Sequence, residues 1–327
     1  MLEARTLTDS AVFNRKVLRL LCLVVLLLSL LTSLMSGVYQ YDLSDLVQVA
    51  FTESDASKYI VFWELRLPRT LIAAVGGAAL SIAGYLTQNI VRNPLASPNL
   101  TGVMSGASLS VLTSFVVGLP LPSLFWGVLG GLAGGIITLS ISWNHGITPV
   151  RLILAGISVS AFCQAMVTFI LLSDGMDSES LFFWLTGSNA GAQWSVFWPL
   201  VLITIPLLAF LIITRQQQAY LLLDDTVAHG LGIHLNKHRV VFGLTSVMLT
   251  AAAVGAFGPV GFIGLVSPHI ARMLKLGIYD SAVIGATLLL LSDLLARTLL
   301  MPLEIPIGVL TALCGAPWFL YLILKRL

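Results

Sequence analysis

The sequence has few charged residues for its length. Of its 327 residues, 17 are Lys or Arg and 15 are Asp or Glu, so that only 10% are charged whereas 57% are hydrophobic. A soluble globular chain carries roughly 25% charged residues. The shortage excludes a soluble enzyme, a disordered protein and a nucleic-acid-binding module, and it predicts a protein that crosses a membrane several times.

Metal-binding and nucleotide-binding motifs are missing as well. The three cysteines, Cys22, Cys163 and Cys314, lie far apart inside apolar runs, so no two of them have the spacing of metal ligands. No lysine follows a glycine, although a phosphate-binding loop needs Gly-Lys followed by Ser or Thr. We therefore expect no metal site and no cofactor in this chain, and if the protein uses ATP, another chain must bind it.

Long runs without charge predict the membrane spans. A helix that crosses the hydrocarbon core needs about 20 mostly apolar residues, and runs such as 20–41, 70–91 and 93–150 are long enough for one or two helices each. We predict an all-α polytopic membrane protein in which residues 1–327 form a single transmembrane domain. Its ten helices are expected at roughly 18–37, 62–83, 100–118, 123–142, 152–172, 195–213, 240–256, 261–276, 281–299 and 307–325.

The placement of Lys and Arg predicts the orientation. If the N-terminus is cytoplasmic, 13 of the 17 cations fall on the inner side, as the positive-inside rule requires. An even number of helices then returns the C-terminus to the cytoplasm. The inner cations are Arg5, Arg15, Lys16, Arg19, Arg92, Arg151, Arg215, Lys237, Arg239, Arg272, Lys275, Lys325 and Arg326.

Small residues at helical spacing predict close contacts between helices. Such residues let helix backbones approach each other in lipid. The ridges are Gly127, Gly131 and Gly135, then Gly130 and Gly134, and then Ala73, Gly77 and Ser81.

Three arginines near the predicted outer ends of helices do not follow the positive-inside pattern. They are Arg66, Arg69 and Arg297, with Lys58 as a further exception in a loop. Internal pairing, for example of Arg69 with Glu64, is one explanation. The other is a ring of cations that is offered to an acidic partner outside the membrane.

Two segments combine proline with polar or glycine residues. The turn at 88–98 contains Asn93 and Pro94 and is a connector, a hinge or a partner contact. The segment 258–272 interrupts a predicted pair of helices, and broken backbone at membrane depth needs support from protein or a cavity. We predict a structural or gating motif that comprises Asn93, Pro94, Gly258, Pro259, Gly264, Pro268, His269, Arg272 and Asp293.

Asp293 is a membrane-embedded carboxylate. It is a plausible counter-charge for Arg297 or for Arg272, and it is either a functional group or part of a pair that fixes helix packing.

The longest inner segment, 214–240, predicts a short amphipathic helix. Asp224 or Asp225 can cap its start and Gly232 can end it. Leu223, Val227, Ala228 and Leu231 share one apolar face at helical spacing, and such a helix is suited to dock into a groove of another protein. His229 lies within it.

The sequence resembles a permease of the iron–siderophore and cobalamin class of ABC importers, the FecCD type, and within it the ferric-citrate permeases. The matching motifs run in family order over nearly the whole chain. They are Arg66-Leu-Pro-Arg69, Arg92-Asn-Pro-Leu-Ala-Ser-Pro98, Trp184-Leu-Thr-Gly-Ser188, Asp225 to Gly232, Gly258 to Arg272, Asp293-Leu-Leu-Ala-Arg297, Glu304 to Thr311 and Gly315-Ala-Pro317.

The resemblance implies a type II ABC importer permease in the bacterial inner membrane, paired with an identical or related second subunit. It further implies two ATPase subunits that bind ATP-Mg, a periplasmic binding protein and a ferric chelate as cargo. Arg66, Arg69 and Arg297 match the arginines that receive the binding protein. The coupling residues that match the ATPase contact are Asp224, Asp225, Ala228, His229, Leu231 and Gly232. Asp224 is a departure, because many relatives have a small residue there.

Two other classes of function stay open on the residues alone. An ion-coupled carrier would use Asp293, His269 or Glu304 as its coupling site. An intramembrane enzyme would use His269 and Asp293 as acid and base, but the sequence contains no nucleophile elbow and no H-E-x-x-H motif. We predict a transport subunit that is not itself an enzyme.

Overall fold

The computed structural model describes residues 2–37, 39–51, 56–143, 148–173 and 178–326, and within these ranges the regular structure is helical. A π-helical stretch, Val61–Arg66, leads directly into α4, and short 3₁₀ turns occupy Pro98–Thr101 and Ala219–Leu222. The α-helices are α1 (Leu2–Met35), α2 (Leu43–Phe51), α3 (Ala56–Ile60), α4 (Leu67–Val91), α5 (Val103–Val117), α6 (Ser123–Ser142), α7 (Pro149–Ser173), α8 (Ser178–Leu185), α9 (Trp194–Ile213), α10 (Arg215–Gln218), α11 (Asp225–Gly230), α12 (Leu235–Phe257), α13 (Ile263–Met273), α14 (Ile278–Thr298) and α15 (Ile307–Arg326).

Each of the ten predicted helices has a counterpart: α1, the helix that ends with α4, α5, α6, α7, α9, α12, α13, α14 and α15. Among the described residues, seven helical segments are long and apolar enough to cross a membrane, one of them the continuous stretch Ala56–Val91, and α5 and the described part of α15 are shorter apolar helices. With 11 residues, α13 is about 16 Å long, roughly half of a hydrocarbon core. It therefore acts as a half-helix that starts inside the bundle.

Polar contacts between helices fix their directions. Ser33 Oγ of α1 lies 2.9 Å from Thr70 Oγ1 of α4, and Ser81 Oγ of α4 lies 2.7 Å from Ser281 Oγ of α14. Hence the end of α1 meets the start of α4, whereas the end of α4 lies near the start of α14. We call the end of the bundle that holds Arg69 the outer face and the end that holds α11 the inner face, after the predicted orientation.

The predicted ridges of small residues are helix contacts. A Cβ on Gly77 of α4 would collide with the backbone of α14 at Gly285 and Ala286. The ridge of α6 that contains Gly131 faces α12, and the one that contains Gly134 faces α5. The span Ala56–Val91, which ends with α4, packs on several helices at once and is the most buried of the candidate membrane spans, with 72% of its apolar window inside the structure.

The Gly- and Pro-rich segment breaks the chain between α12 and α13, as predicted. Gly258 and Phe262 both have positive φ, at 77° and 65°, so the backbone turns before α13 begins. Neighbouring backbone supports the break. A Cβ on Gly258 would meet the carbonyl oxygen of Trp184, and a Cβ on Gly84 of α4 would overlap the carbonyl group of Gly264.

Candidate functional site

The three predicted outer arginines come together. Arg66, Arg69 and Arg297 line one cavity of about 360 Å³ at the outer face, and Glu304 lines it too. The π-helical stretch and the first turn of α4 supply two of the arginines, and the last turn of α14 supplies the third. We call these four side chains and Asp293 the outer cluster.

Arg66 holds the end of α1. Its Nη1 donates to the carbonyl oxygens of Leu34 at 2.8 Å and Met35 at 3.1 Å, and its Nη2 donates to that of Tyr39. The guanidinium carbon lies 4.5 Å from the ring centroid of Tyr41. Because the last carbonyls of a helix have no partner within it, this arginine caps the C-terminus of α1.

Arg69 is shared by two carboxylates. Its Nε lies 3.0 Å from Asp293 Oδ1, while its Nη1 and Nη2 donate to the two oxygens of Glu304 at 2.9 and 3.1 Å. The internal pairing considered from sequence therefore exists, but its partners are Asp293 and Glu304 and not Glu64. The planar guanidinium group thus donates hydrogen bonds to two carboxylates on different sides, which no other side chain can do.

Arg297 is buried against the end of α1. Its Nη2 donates to the carbonyl oxygen of Ser33 and, at 2.8 Å, to the hydroxyl of that residue. Its Nε lies 4.0 Å from Asp293 Oδ2 and has no hydrogen-bond partner among the described residues. Asp293 is thus a counter-charge for Arg297, which is one of the two partners, Arg297 or Arg272, that the sequence predicted. It pairs more closely with Arg69, which the sequence did not indicate.

The charges of the outer cluster do not cancel. Three guanidinium groups face two carboxylates, Asp293 and Glu304, and the cavity between them is open to one side. An excess of positive charge in a partly enclosed pocket favours an acidic group. Docking of a binding protein remains a prediction for these arginines.

The second predicted site is α11 at the inner face. Asp224 occupies its N-cap position, and Gly232 follows the helix with φ 69°. The amide of Ile233 donates to the carbonyl oxygen of Ala228 at 2.9 Å, which satisfies a terminal carbonyl of the helix. The start and the end of this short helix are as predicted.

The apolar residues of α11 face two ways. Ala228 is buried, whereas Val227 and Leu231 are 50% and 65% exposed. His229 is exposed as well. The helix thus presents an uncovered apolar edge beyond the bundle, which is the surface that a docking helix requires.

Two arginines fix Asp225 at the start of α11. Arg239 of α12 donates to both carboxylate oxygens, at 2.7 and 3.2 Å, and Nη2 of Arg92 reaches Oδ1 at 2.7 Å. The hydrogen bond from Arg239, followed by the charges of both arginines, lowers the pKa of Asp225 below its ordinary value. Arg92 also donates to Asp224 at 3.3 Å and to the carbonyl oxygen of Leu223.

The sequence reading missed both arginines as partners of α11. Arg239 lies 14 residues after Asp225, beyond the range in which helical spacing predicts contact. Arg92 has φ 55°, an uncommon left-handed conformation for an arginine. No local pattern predicts it.

The residues proposed as a gating motif fall into two groups. Pro94 and Leu95 of the turn line a small crevice with His269 of α13 and Trp318 of α15. Asn93 Oδ1 accepts from the amide of Leu95 at 2.9 Å. This group lies toward the inner end of the bundle.

The rest of this inner group surrounds the crevice. Gly264 lies against Pro98, and Pro268 is buried within α13. Arg272 contacts Gln88 and Asn89 of α4. Arg272 is therefore not a partner of Asp293. In the second group, Gly258 and Pro259 lie toward the outer end, where the Pro259 carbonyl is close to Gly187 and Gly308.

A second cavity is larger than the outer pocket and has different chemistry. It has a volume of about 630 Å³ and lies between α5, α6 and α7, where its lining includes Leu129, Ile137 and Phe162. Its lining is almost wholly apolar, which suits lipid or another helix better than an ion. Among the described residues, no group of three or more His, Cys, Asp or Glu side chains could hold a metal ion.

Known proteins share this architecture. Residues 24–325 match the FecCD transport family. The Fe(3+)-citrate import system permease protein YfmD of Bacillus subtilis (strain 168) is 35% identical over 319 residues, which cover 95% of this chain and 96% of that protein. The Fe(3+) dicitrate transport system permease protein FecD of Escherichia coli (strain K12) is 40% identical over 279 residues, which cover 82% and 86% of the two chains.

A solved structure matches in three dimensions. One chain of a metal-chelate type ABC transporter in an inward-facing conformation has a TM-score of 0.83 at 28% identity, over 94% of this chain and 99% of that one. The likeness in three dimensions thus extends over nearly the whole chain. With matches of this extent in sequence and structure, the chain belongs to the FecCD transport family.

Proposed function

We propose that this chain is the transmembrane permease subunit of a binding-protein-dependent ABC importer. It carries a ferric siderophore or a similar iron chelate across the bacterial inner membrane. The observation that carries the proposal is the likeness, over nearly the full length, to permease proteins named for Fe(3+)-citrate import. The chain acts as a single transmembrane domain that provides the pathway, while partner ATPase subunits bind ATP-Mg and hydrolyse it.

The two ends of the bundle would contact different partners. A second permease subunit, identical or related, completes the pathway. At the outer face, acidic side chains of a periplasmic binding protein are attracted by the excess positive charge around Arg66, Arg69 and Arg297. At the inner face, the exposed apolar edge at Val227 and Leu231 docks on an ATPase subunit.

The cargo is proposed to cross as an intact chelate. A bare ferric ion would require hard oxygen ligands on its path, and the described residues contain no cluster of three or more possible ligands. Iron recognition then belongs to the binding protein and to the chelator. This chain excludes solvent and alternates between outward and inward access.

An ion-coupled carrier is the alternative. It would need titratable groups that connect along one path, but Asp293 and Glu304 are joined to Arg69, whereas His269 belongs to the crevice beside Pro94. The two carboxylates therefore lie at the outer end of the bundle and the imidazole lies toward the inner end, so these groups do not form one connected path. This arrangement favours the importer.

Reconstitution tests the choice. The permease pair is placed in liposomes with its ATPase subunits and binding protein, and uptake of radiolabelled ferric citrate, a ferric hydroxamate and hemin is followed. We expect uptake of at least one chelate that requires both ATP and the binding protein. Uptake by the permease alone, driven by a proton or sodium gradient, would overturn the importer in favour of the carrier.

A further inference from the structure

One carboxylate at the inner face joins three parts of the chain. Asp225 belongs to α11, Arg239 to the start of α12, and Arg92 to the residue that directly follows α4. The contacts from Asp225 are 2.7 and 3.2 Å to Arg239 and 2.7 Å to Arg92. We call this group the Asp225 clasp.

The contact between Asp225 and Arg239 fixes an orientation as well as a distance. Two parallel N–H donors of one guanidinium meet the two oxygens of one carboxylate, so rotation of α11 against α12 would break at least one bond. The side chain of Arg239 is only 4% exposed. A buried guanidinium needs an anion beside it, which makes separation of the pair unfavourable.

Arg92 extends the clasp to the central helix. It follows α4 in a left-handed conformation and reaches α11 through Asp225, Asp224 and the carbonyl oxygen of Leu223. The next residues, Asn93 and Pro94, begin the turn that lines the crevice beside His269. Contacts thus join α11 both to α12 and to the residues that lead into this turn.

We infer that Arg239 and Arg92 are positioning residues for coupling, and that the Asp225 clasp makes α11 move as one body with the start of α12 and the end of α4. This inference rests on the proposed function, because the displacement is the one that an ATPase subunit imposes on α11. The ATPase subunit displaces α11 through its apolar edge, and the clasp transmits this displacement to α12 and α4. Without the clasp, α11 shifts against the bundle and ATP hydrolysis continues without transport.

The test uses the complete importer in liposomes and measures chelate transported per ATP hydrolysed. Asp225→Asn and Arg239→Gln should each lower this ratio by about tenfold, a typical size for coupling between two sites, while ATP hydrolysis persists. Arg151→Gln is the matched control, since Arg151 is exposed at the start of α7 and lies outside the clasp; its ratio should stay at the wild-type value.

Two further variants separate coupling from simple loss of structure. The double variant Asp225→Arg with Arg239→Asp restores opposite charges and should recover part of the ratio. Arg92→Gln leaves the Asp225–Arg239 pair intact, so the complex should assemble, yet transport per ATP should still fall because the link to α4 is lost. An unchanged ratio in Arg92→Gln or in Asp225→Asn overturns the inference.

The same experiment distinguishes this inference from the proposed function. If the wild-type importer takes up none of ferric citrate, a ferric hydroxamate or hemin with ATP, the proposed function fails and the inference fails with it. If the wild type transports and the clasp variants keep its ratio, only the inference fails. Loss of ATPase subunits from Asp225→Asn, with a normal ratio in Arg92→Gln, also contradicts it, because the carboxylate then serves attachment alone.

Discussion

Asp293 at the outer face and Asp225 at the inner face are each approached by two arginines, but water reaches only one of them. The side chain of Asp293 is 0% exposed and that of Asp225 is 64% exposed. The same ion-pair chemistry therefore operates in two environments. At the outer face, Asp293 is shielded from water within the packed helices; at the inner face, Asp225 lies at the edge of a short surface helix.

The difference shows that similar pairs can serve unlike purposes. A buried pair contributes little net stability when intact, yet its disruption is costly because one charge is left without a partner. A pair whose carboxylate is exposed, like that of Asp225, is worth less, since water competes for the carboxylate. The outer cluster therefore fixes how α1, α4 and α14 pack, whereas the Asp225 clasp holds a surface helix in a set orientation.

The largest expected effect comes from neutralising the buried carboxylate. Asp293→Asn removes the anion next to Arg69 and Arg297 and should lower stability by about 3 kcal/mol or more. The matched change Asp225→Asn should lower it by about 1 kcal/mol, because water can replace part of the lost contact. The unfolding midpoint of the purified chain in detergent measures both, and equal shifts would contradict the comparison.

Glu304→Gln should have a smaller effect within the outer cluster. Glu304 is the more exposed of the two carboxylates on Arg69, and Arg69 keeps its contact with Asp293 after the change. We expect a loss of about 1 kcal/mol, the usual size for one hydrogen-bonded group, in the same unfolding measurement. A loss as large as that of Asp293→Asn would show that burial does not rank the two carboxylates.

Sequence reasoning predicted the helices well because lipid leaves the backbone few alternatives. Every peptide group in the hydrocarbon core must bond within its own helix, so the gaps between charges located all ten helices. The end of α4 was placed too early, at about residue 83, because Gln88 and Asn89 are polar. In the structure both are buried in the last turns of α4 and contact Arg272.

The candidate sites were predictable only where the signal is local. Gly232 marks the end of α11, because glycine readily adopts the left-handed conformation found there. The spacing of Val227 and Leu231 likewise predicts the apolar edge. The partners of Arg69, by contrast, lie 224 and 235 residues away, and nothing in one sequence relates such positions. Charge placement identified the arginines; only packing shows which carboxylates they contact.

Arg66→Gln should loosen one helix end without unfolding the bundle. The variant removes the donors to the carbonyls of Leu34 and Met35, and a lost cap costs about 1 kcal/mol. Hydrogen exchange of the amides near the end of α1 should become about fivefold faster, while exchange in α4 stays at the wild-type rate. Equal acceleration in both helices would mean that Arg66 supports the whole outer cluster and not α1 alone.

The smallest effect concerns pH at the inner face. Because Arg239 lowers the pKa of Asp225 in the folded chain, the pair contributes its full stabilisation above the ordinary aspartate pKa of about 3.9. This stabilisation is lost only as the pH falls through the lowered pKa.

A spin label at Gly230→Cys, with Cys22, Cys163 and Cys314 replaced, reports the mobility of α11. We expect no change between about pH 7 and pH 5 and a rise below about pH 4, whereas the same label in Asp225→Asn should be mobile throughout. If mobility already increased between pH 7 and pH 5, a group other than Asp225 would be holding α11, and the exposed carboxylate would not be the inner counterpart of Asp293.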